Sequence, residues 1–181
     1  RGLVRRDALL FINSVASVSL NEEDCKKYFE QYADVARHTV VEITEEEELD
    51  LKQLERKRNT PGAAGVFALD DYGSGYSNGS SLLAIAPRYV KVDISIIRGI
   101  DSNSDKQQFL SSLVTYARPR GIQVLAEGVE NEAELREVLR LGVDLLQGYG
   151  LARPAAVPGP IAPSAKAVID EMRTKSRWRE Q

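Results

Sequence analysis

The chain has 181 residues, 43% of them hydrophobic, and a net charge of −3 with a pI near 5.4. That size suits one domain with its own core, and the mild acidity excludes a general DNA or RNA coat, whose affinity comes from clustered Lys and Arg. A single cysteine, Cys25, excludes a disulfide framework and a cysteine-rich zinc site, while a single histidine, His38, leaves little room for a Ser-His-Asp triad or a histidine zinc site.

Leu9 to Ser14 (LLFINS) reads as an apolar strand with Asn13 near its far end. A helix follows over about 21–36, on which Tyr28, Tyr32 and Val35 share a face; Cys25 is expected half-buried there, and His38, in the polar turn ARHT, in solvent. The second strand is TVVEIT from Thr39, with Glu42 inside a β-branched run. Thr44 reads as the N-cap of the next helix, Glu47 as its capping-box partner, and the acids 45–48 suit a helix start.

The Pro61-Gly62 turn leads into VFALDDYGSGY (66–76), a short apolar run ending in two carboxylates and a glycine loop. Taken alone, Asp70 and Asp71 have two readings. They are turn formers ahead of Gly73 and Gly75, or they leave the strand in different directions and face two hard cations.

Ser80 to Ala86 reads as a short helix stopped by Pro87, and YVKVDIS (89–95) as a strand with Val90, Val92 and Ile94 opposite Lys91 and Asp93. A helix over about 105–116 precedes the strand IQVLAEGVE, which ends at Glu127. Asn131 caps a helix to about Arg140, and VDLLQGYG is a sixth strand carrying Gln147. The Pro- and Gly-rich residues 155–163 form a connector, and a last helix over about 164–177 packs back on the domain formed by 1–154.

Strand and helix alternate, and each strand carries its polar residue toward the carboxyl end. The spacing from Asn13 to Glu42 to Asp70 is close to the ~30 residues of a βαβ repeat, and right-handed crossovers gather such ends on one face. That is the catalytic rim of a (β/α) barrel. A doubly wound open sheet is the rival, but Glu42, Lys91 and Asp93 inside strands suit a barrel mouth better than strands covered on both faces. Several carboxylates at one mouth call for divalent cations, and oxygen donors without His or Cys favour Mg²⁺ or Mn²⁺. Two such ions point to phosphoester hydrolysis.

The segments VVEITE (40–45), ALDDYGSGYS (68–77), YVKVD (89–93), AEGVEN (126–131) and QGYGLARP (147–154), with FINSVASVSL (11–20), resemble in order the motifs of the EAL domain, the bacterial phosphodiesterase of cyclic di-GMP. The resemblance covers nearly the whole chain to Pro154. It implies a TIM-like α/β barrel and hydrolysis of cyclic di-GMP to linear pGpG. It also implies a two-metal site of Mg²⁺ or Mn²⁺ held by Asn13, Glu42, Asp70 and Asp71. Lys91 would neutralise charge at the attacked phosphate or orient the water, Glu127 would be a further metal-site carboxylate or the general base, and Gln147 would complete the shell. Glu45 would brace the loop Tyr72 to Asn78, through which a homodimer forms, and Glu130 would help position substrate. Without the resemblance the same residues have plainer readings. Glu45 favours a helix start, Lys91 pairs with Asp93 or Glu127, and Gln147 is a packed amide.

One feature of the family pattern is missing: the Glu-Ala-Leu triplet of an earlier strand, whose glutamate is a metal ligand. Six strand-helix units stand against the eight of a closed barrel. The chain opens at Arg1 and its only methionine is Met172, so it is expected to be a piece of a longer parent, a cytoplasmic signalling protein with no membrane span in this stretch. The alternative is an inactive module that binds cyclic di-GMP or a protein partner. Alone, these 181 residues are expected to show little turnover.

Overall fold

The computed structural model describes residues 8–13, 38–44, 66–75 and 79–177, the side chains of 175–177 excepted, together with the helical positions Glu23, Lys26, Lys27, Glu30, Gln31, Ala33 and Val35. Among these residues six strands occur, β1 (Leu10–Asn13), β2 (Thr39–Thr44), β3 (Phe67–Tyr72), β4 (Tyr89–Val92), β5 (Gln123–Ala126) and β6 (Leu145–Leu146), and sheet order follows chain order. The helices are α1 (Gly79–Ile85), α2 (Ile94–Ile97), α3 (Ser104–Ala117), α4 (Glu132–Leu141) and α5 (Pro163–Arg177). The chain divides into two compact units. One holds the residues up to Tyr72 and Tyr76–Tyr89; the other holds Gly73–Gly75 and Val90–Gln181.

In the first unit β1, β2 and β3 run parallel, in the registers Asn13 with Glu42, Glu42 with Ala68 and Thr44 with Asp70. The β-branched run TVVEIT and the apolar FAL of β3 satisfy the pleat, and Val40, Ile43, Phe67 and Leu69 are all buried. α1 adds Leu82 and Ile85 to this core, and each such side chain contributes roughly 1.5–3 kcal/mol by leaving water. After α1 the chain returns to β3, where Arg88 N–H donates to Phe67 O at 2.9 Å. The ring of Phe11 meets Tyr89 edge-on, with centroids 5.3 Å apart.

In the second unit β5 lies between β4 and β6: Glu127 N–H donates to Val92 O at 3.1 Å, and Leu125 and Ala126 register with Leu145 and Leu146. α3 begins at Asn103, whose side chain accepts from the N–H groups of Asp105 and Lys106. Its apolar residues Leu110, Leu113, Val114 and Ala117 fall at helical spacing and are buried. Asn131 caps α4 as the sequence predicts, its side chain accepting from Glu134 N–H at 2.9 Å. α5 packs along α4, fastened at the surface by Arg136 to Glu171 at 2.8 Å. No described helix is long and apolar enough to cross a membrane.

Three expectations need correction. β4 stops at Val92, because the Asp93 carboxylate accepts from Ser95 N–H at 2.9 Å and starts the single turn of α2 instead of continuing the strand. Ile94 is therefore a helical residue, 40% exposed, and does not extend the row of Val90 and Val92. His38 is half-buried, not in solvent, with its backbone used on both sides: its N–H donates to Val35 O and its C=O accepts from Leu10 N–H. The positions of Cys25, Tyr28, Tyr32, Glu45, Glu47, Pro61 and Gly62 lie outside the described residues.

Candidate active site

In the first unit the register decides which polar groups share a face. Residues opposite one another in a parallel pair project to the same side, and every second residue along a strand does so too. Asn13 stands opposite Glu42, Glu42 opposite Ala68, and Asp70 lies two residues beyond Ala68, so Asn13, Glu42 and Asp70 project from one side of these strands at their carboxyl ends. Glu42 and Asp70 are each only 6% exposed, whereas Asn13 is exposed.

Strict alternation would send Asp71 to the opposite side. Its backbone instead takes φ 55°, in the left-handed region that non-glycine residues seldom occupy. Asp71 N–H donates to Asp70 Oδ1 at 3.1 Å, and the two carboxylates bring an oxygen each within 4.8 Å of one another. Among the described residues, the polar groups on this side of β1–β3 are oxygen donors, the amide of Asn13 and the carboxylates of Glu42 and Asp70, with the Asp71 carboxylate beside Asp70. Such a set fits a hard divalent cation and does not fit zinc.

In the second unit Lys91 Nζ sits 2.9 Å from Glu127 Oε1, with side-chain exposures of 7% and 15%. Of the two plainer partners for Lys91, Glu127 is the one it takes, since the Asp93 carboxylate turns to its own helix start. Gln147 is exposed and not a packed amide, and its backbone is held on both sides. Its N–H donates to Ala126 O at 2.9 Å, and its C=O accepts from Val129 N–H at 3.0 Å. Gly148 lets the two loops meet, for a Cβ there would stand 2.2 Å from Val129 O. Glu130 is exposed and its carboxylate pairs with the Arg98 guanidinium.

The EAL domain family model matches residues 3–154. The chain belongs to the EAL domain family.

Among curated relatives, this EAL domain is 44% identical over 89 residues to the cyclic di-GMP phosphodiesterase PdeF of Escherichia coli (strain K12), a stretch that covers 49% of the chain and 12% of PdeF. Among solved structures it resembles a standalone EAL protein from Vibrio cholerae O395 in its c-di-GMP bound form. The TM-score is 0.72 at 28% identity, over 87% of this chain and 70% of that one. It also resembles BlrP1 of Klebsiella pneumoniae in a manganese/cy-diGMP complex, with TM-score 0.71 at 29% identity, over 84% of this chain and 41% of that one. The fold is thus the TIM-like α/β fold of EAL domains. The chain spans between 12% and 26% of the length of the curated relatives it matches.

Sequence reasoning passed over one buried carboxylate of the EAL domain. Glu134, 3% exposed, accepts from Gly99 N–H at 2.9 Å and from Glu130 N–H at 3.0 Å. Burial alone would raise its pKa, but the backbone N–H groups of Gly99, Glu130 and Asn131 outweigh it and hold the carboxyl below its ordinary value. A signal was available. Asn131 and Glu134 stand at the N-cap and N3 spacing of a capping box, which marks Glu134 as a carboxylate turned to backbone N–H groups.

Proposed function

We propose that this EAL domain hydrolyses cyclic di-GMP to linear pGpG with two divalent cations, Mg²⁺ or Mn²⁺, as the catalytic part of a cytoplasmic signalling protein. The observation that carries the reading is the row Asn13, Glu42 and Asp70 on one side of the strands, with Asp71 turned toward Asp70 by its left-handed backbone. The activity named for PdeF and the bound c-di-GMP of the Vibrio and Klebsiella structures support it.

Asn13, Glu42, Asp70 and Asp71 would hold the cations through oxygen. When bound, these supply Lewis-acid polarisation of the phosphoryl oxygen and a water of lowered pKa. Lys91 Nζ, a fixed positive charge with little access to water, would stabilise negative charge developing on the phosphoryl group. Glu127 Oε1, held by Lys91, would accept a proton from the attacking water or join the metal-site carboxylates. Gln147, on a loop fixed by backbone hydrogen bonds, would orient substrate or water through its exposed amide.

Glu130 would position substrate, and Glu45 would brace the loop 72–78, the contact of a homodimer. Residues 1–154 would form the barrel domain, with 155–181 as connector and closing helix. The test is turnover by the encoded protein that carries this chain. With Mn²⁺, cyclic di-GMP should give the linear dinucleotide, and Asp70→Asn or Glu42→Gln should nearly abolish it with cyclic di-GMP binding measured alongside. A wild-type rate in either variant refutes the metal assignment. Tight binding of cyclic di-GMP with no turnover in the unmodified protein assigns a receptor instead.

A further inference from the structure

The loop Glu127–Glu130 carries Glu127 at one end and is anchored at intervals. Glu127 N–H is bound to β4 through Val92 O, Val129 N–H to Gln147 O, and Val129 O accepts from Gly150 N–H at 2.9 Å. The last anchor, at Glu130 N–H, is the buried side chain of Glu134. A capping-box carboxylate at N3 ordinarily serves only the start of its own helix. Here the second oxygen reaches outside α4 to Gly99 N–H, in the turn after α2, so one carboxylate ties two segments that are 31 residues apart in the chain. Arg98, next to Gly99, pairs with the Glu130 side chain, and Lys106 Nζ donates to the carbonyls of Ser95 and Arg98 at 2.7 Å each. The turn that Glu134 grips is therefore itself held from α3.

We propose that Glu134 is a positioning residue for the reaction: by holding Glu130 N–H against Gly99 N–H it fixes the loop that sets Glu127 beside Lys91 and Val129 beside Gln147. The claim rests on the phosphodiesterase reading for its kinetic consequence, while its structural content stands independently. Glu134 is none of the proposed metal or catalytic residues, and it acts only through the backbone it holds at Gly99 and Glu130. Displacement of a reacting group by about 1 Å costs on the order of 100-fold in rate, so loss of this anchor should appear in kcat with KM little changed.

The experiment compares Glu134→Ala, Glu134→Gln and Val138→Ala in the encoded protein. Val138 is a fully buried core residue of α4 that touches none of these hydrogen bonds, so its truncation lowers stability and leaves the loop anchored. Glu134→Ala should lower kcat at least about 10-fold at a temperature where it is folded, Glu134→Gln should recover part of that through its remaining acceptor, and Val138→Ala should keep the wild-type kcat. Equal kcat losses in Glu134→Ala and Val138→Ala overturn the proposal, as does an unchanged kcat in Glu134→Ala. If the unmodified protein shows no turnover, the phosphodiesterase reading fails and amide hydrogen exchange decides the positioning claim. Faster exchange at Gly99 and Glu130 in Glu134→Gln, with the α3 amides unchanged, supports it; unchanged exchange at both overturns it. The same exchange measurement serves if Glu134→Ala does not fold.

Discussion

Replacing Lys91 by methionine removes the charge and keeps most of the apolar stem. At 2.9 Å and an effective dielectric of about 20, the attraction between Lys91 and Glu127 is about 6 kcal/mol before desolvation and side-chain ordering are subtracted. Breaking a buried pair from one side typically costs about 3–5 kcal/mol, because the remaining charge stays out of water. Glu127 keeps 15% side-chain exposure and can relax toward solvent, which places Lys91→Met near the lower end, about 3 kcal/mol. For a chain of 181 residues that lowers Tm by about 6–12 °C. Adding Glu127→Gln removes the stranded charge, so the double variant should be more stable than Lys91→Met alone, with a coupling of about 2 kcal/mol. Urea unfolding of the four proteins, with equal m-values required before the cycle is closed, measures it. A coupling below about 0.5 kcal/mol, the value of an exposed pair, would refute the account of Lys91 and Glu127 as a water-shielded ion pair.

Gly148→Ala places a methyl 2.2 Å from Val129 O and should cost about 1–3 kcal/mol or more, since hydrogen bonds hold the backbone of both loops in place; a variant with wild-type Tm would contradict the close approach of the two loops. Asn131→Ala leaves the N–H of Glu134 without its cap and should destabilise by about 1 kcal/mol in urea unfolding. Glu134 has a folded pKa below its unfolded value, so its contribution to stability is present above the unfolded pKa of roughly 4.3 and is lost as pH falls through the lowered folded value. Glu134→Gln should therefore flatten the acid limb of a stability–pH curve, and an unchanged limb would count against the carboxylate's backbone hydrogen bonds.

The fold was legible where pattern and chemistry agreed. TVVEIT and VFALDD put apolar residues and carboxylates in one run, and a charge buried in a strand needs a partner or a cation, so Glu42 and Asp70 marked the strands and made these carboxylates candidates for a site. The caps at Asn131 and the stop at Pro87 followed from short-range hydrogen bonding and ring geometry. The end of β4 was misread because alternation in YVKVDIS continues through Asp93, whereas an aspartate side chain competes for the backbone and opened a helical turn. The exposure of His38 was misjudged because a polar neighbourhood in sequence says little about what packs over a turn from elsewhere. The capping-box spacing marked Glu134 as a carboxylate turned to its own helix start, but its reach to Gly99 was not legible, because that partner is 35 residues away.

The left-handed backbone at Asp71 means that selection at this position passes through two independent sieves. Conformation admits glycine, asparagine and aspartate and penalises nearly every other side chain by about 1–2 kcal/mol, whatever its charge. Under the proposed two-cation site, ligand chemistry then asks for a carboxylate. Glutamate, which preserves the charge, should be tolerated less well by the chain than asparagine, which discards it, so a saturation library sorted first for soluble expression and then for cation uptake would retain different residues at each sort.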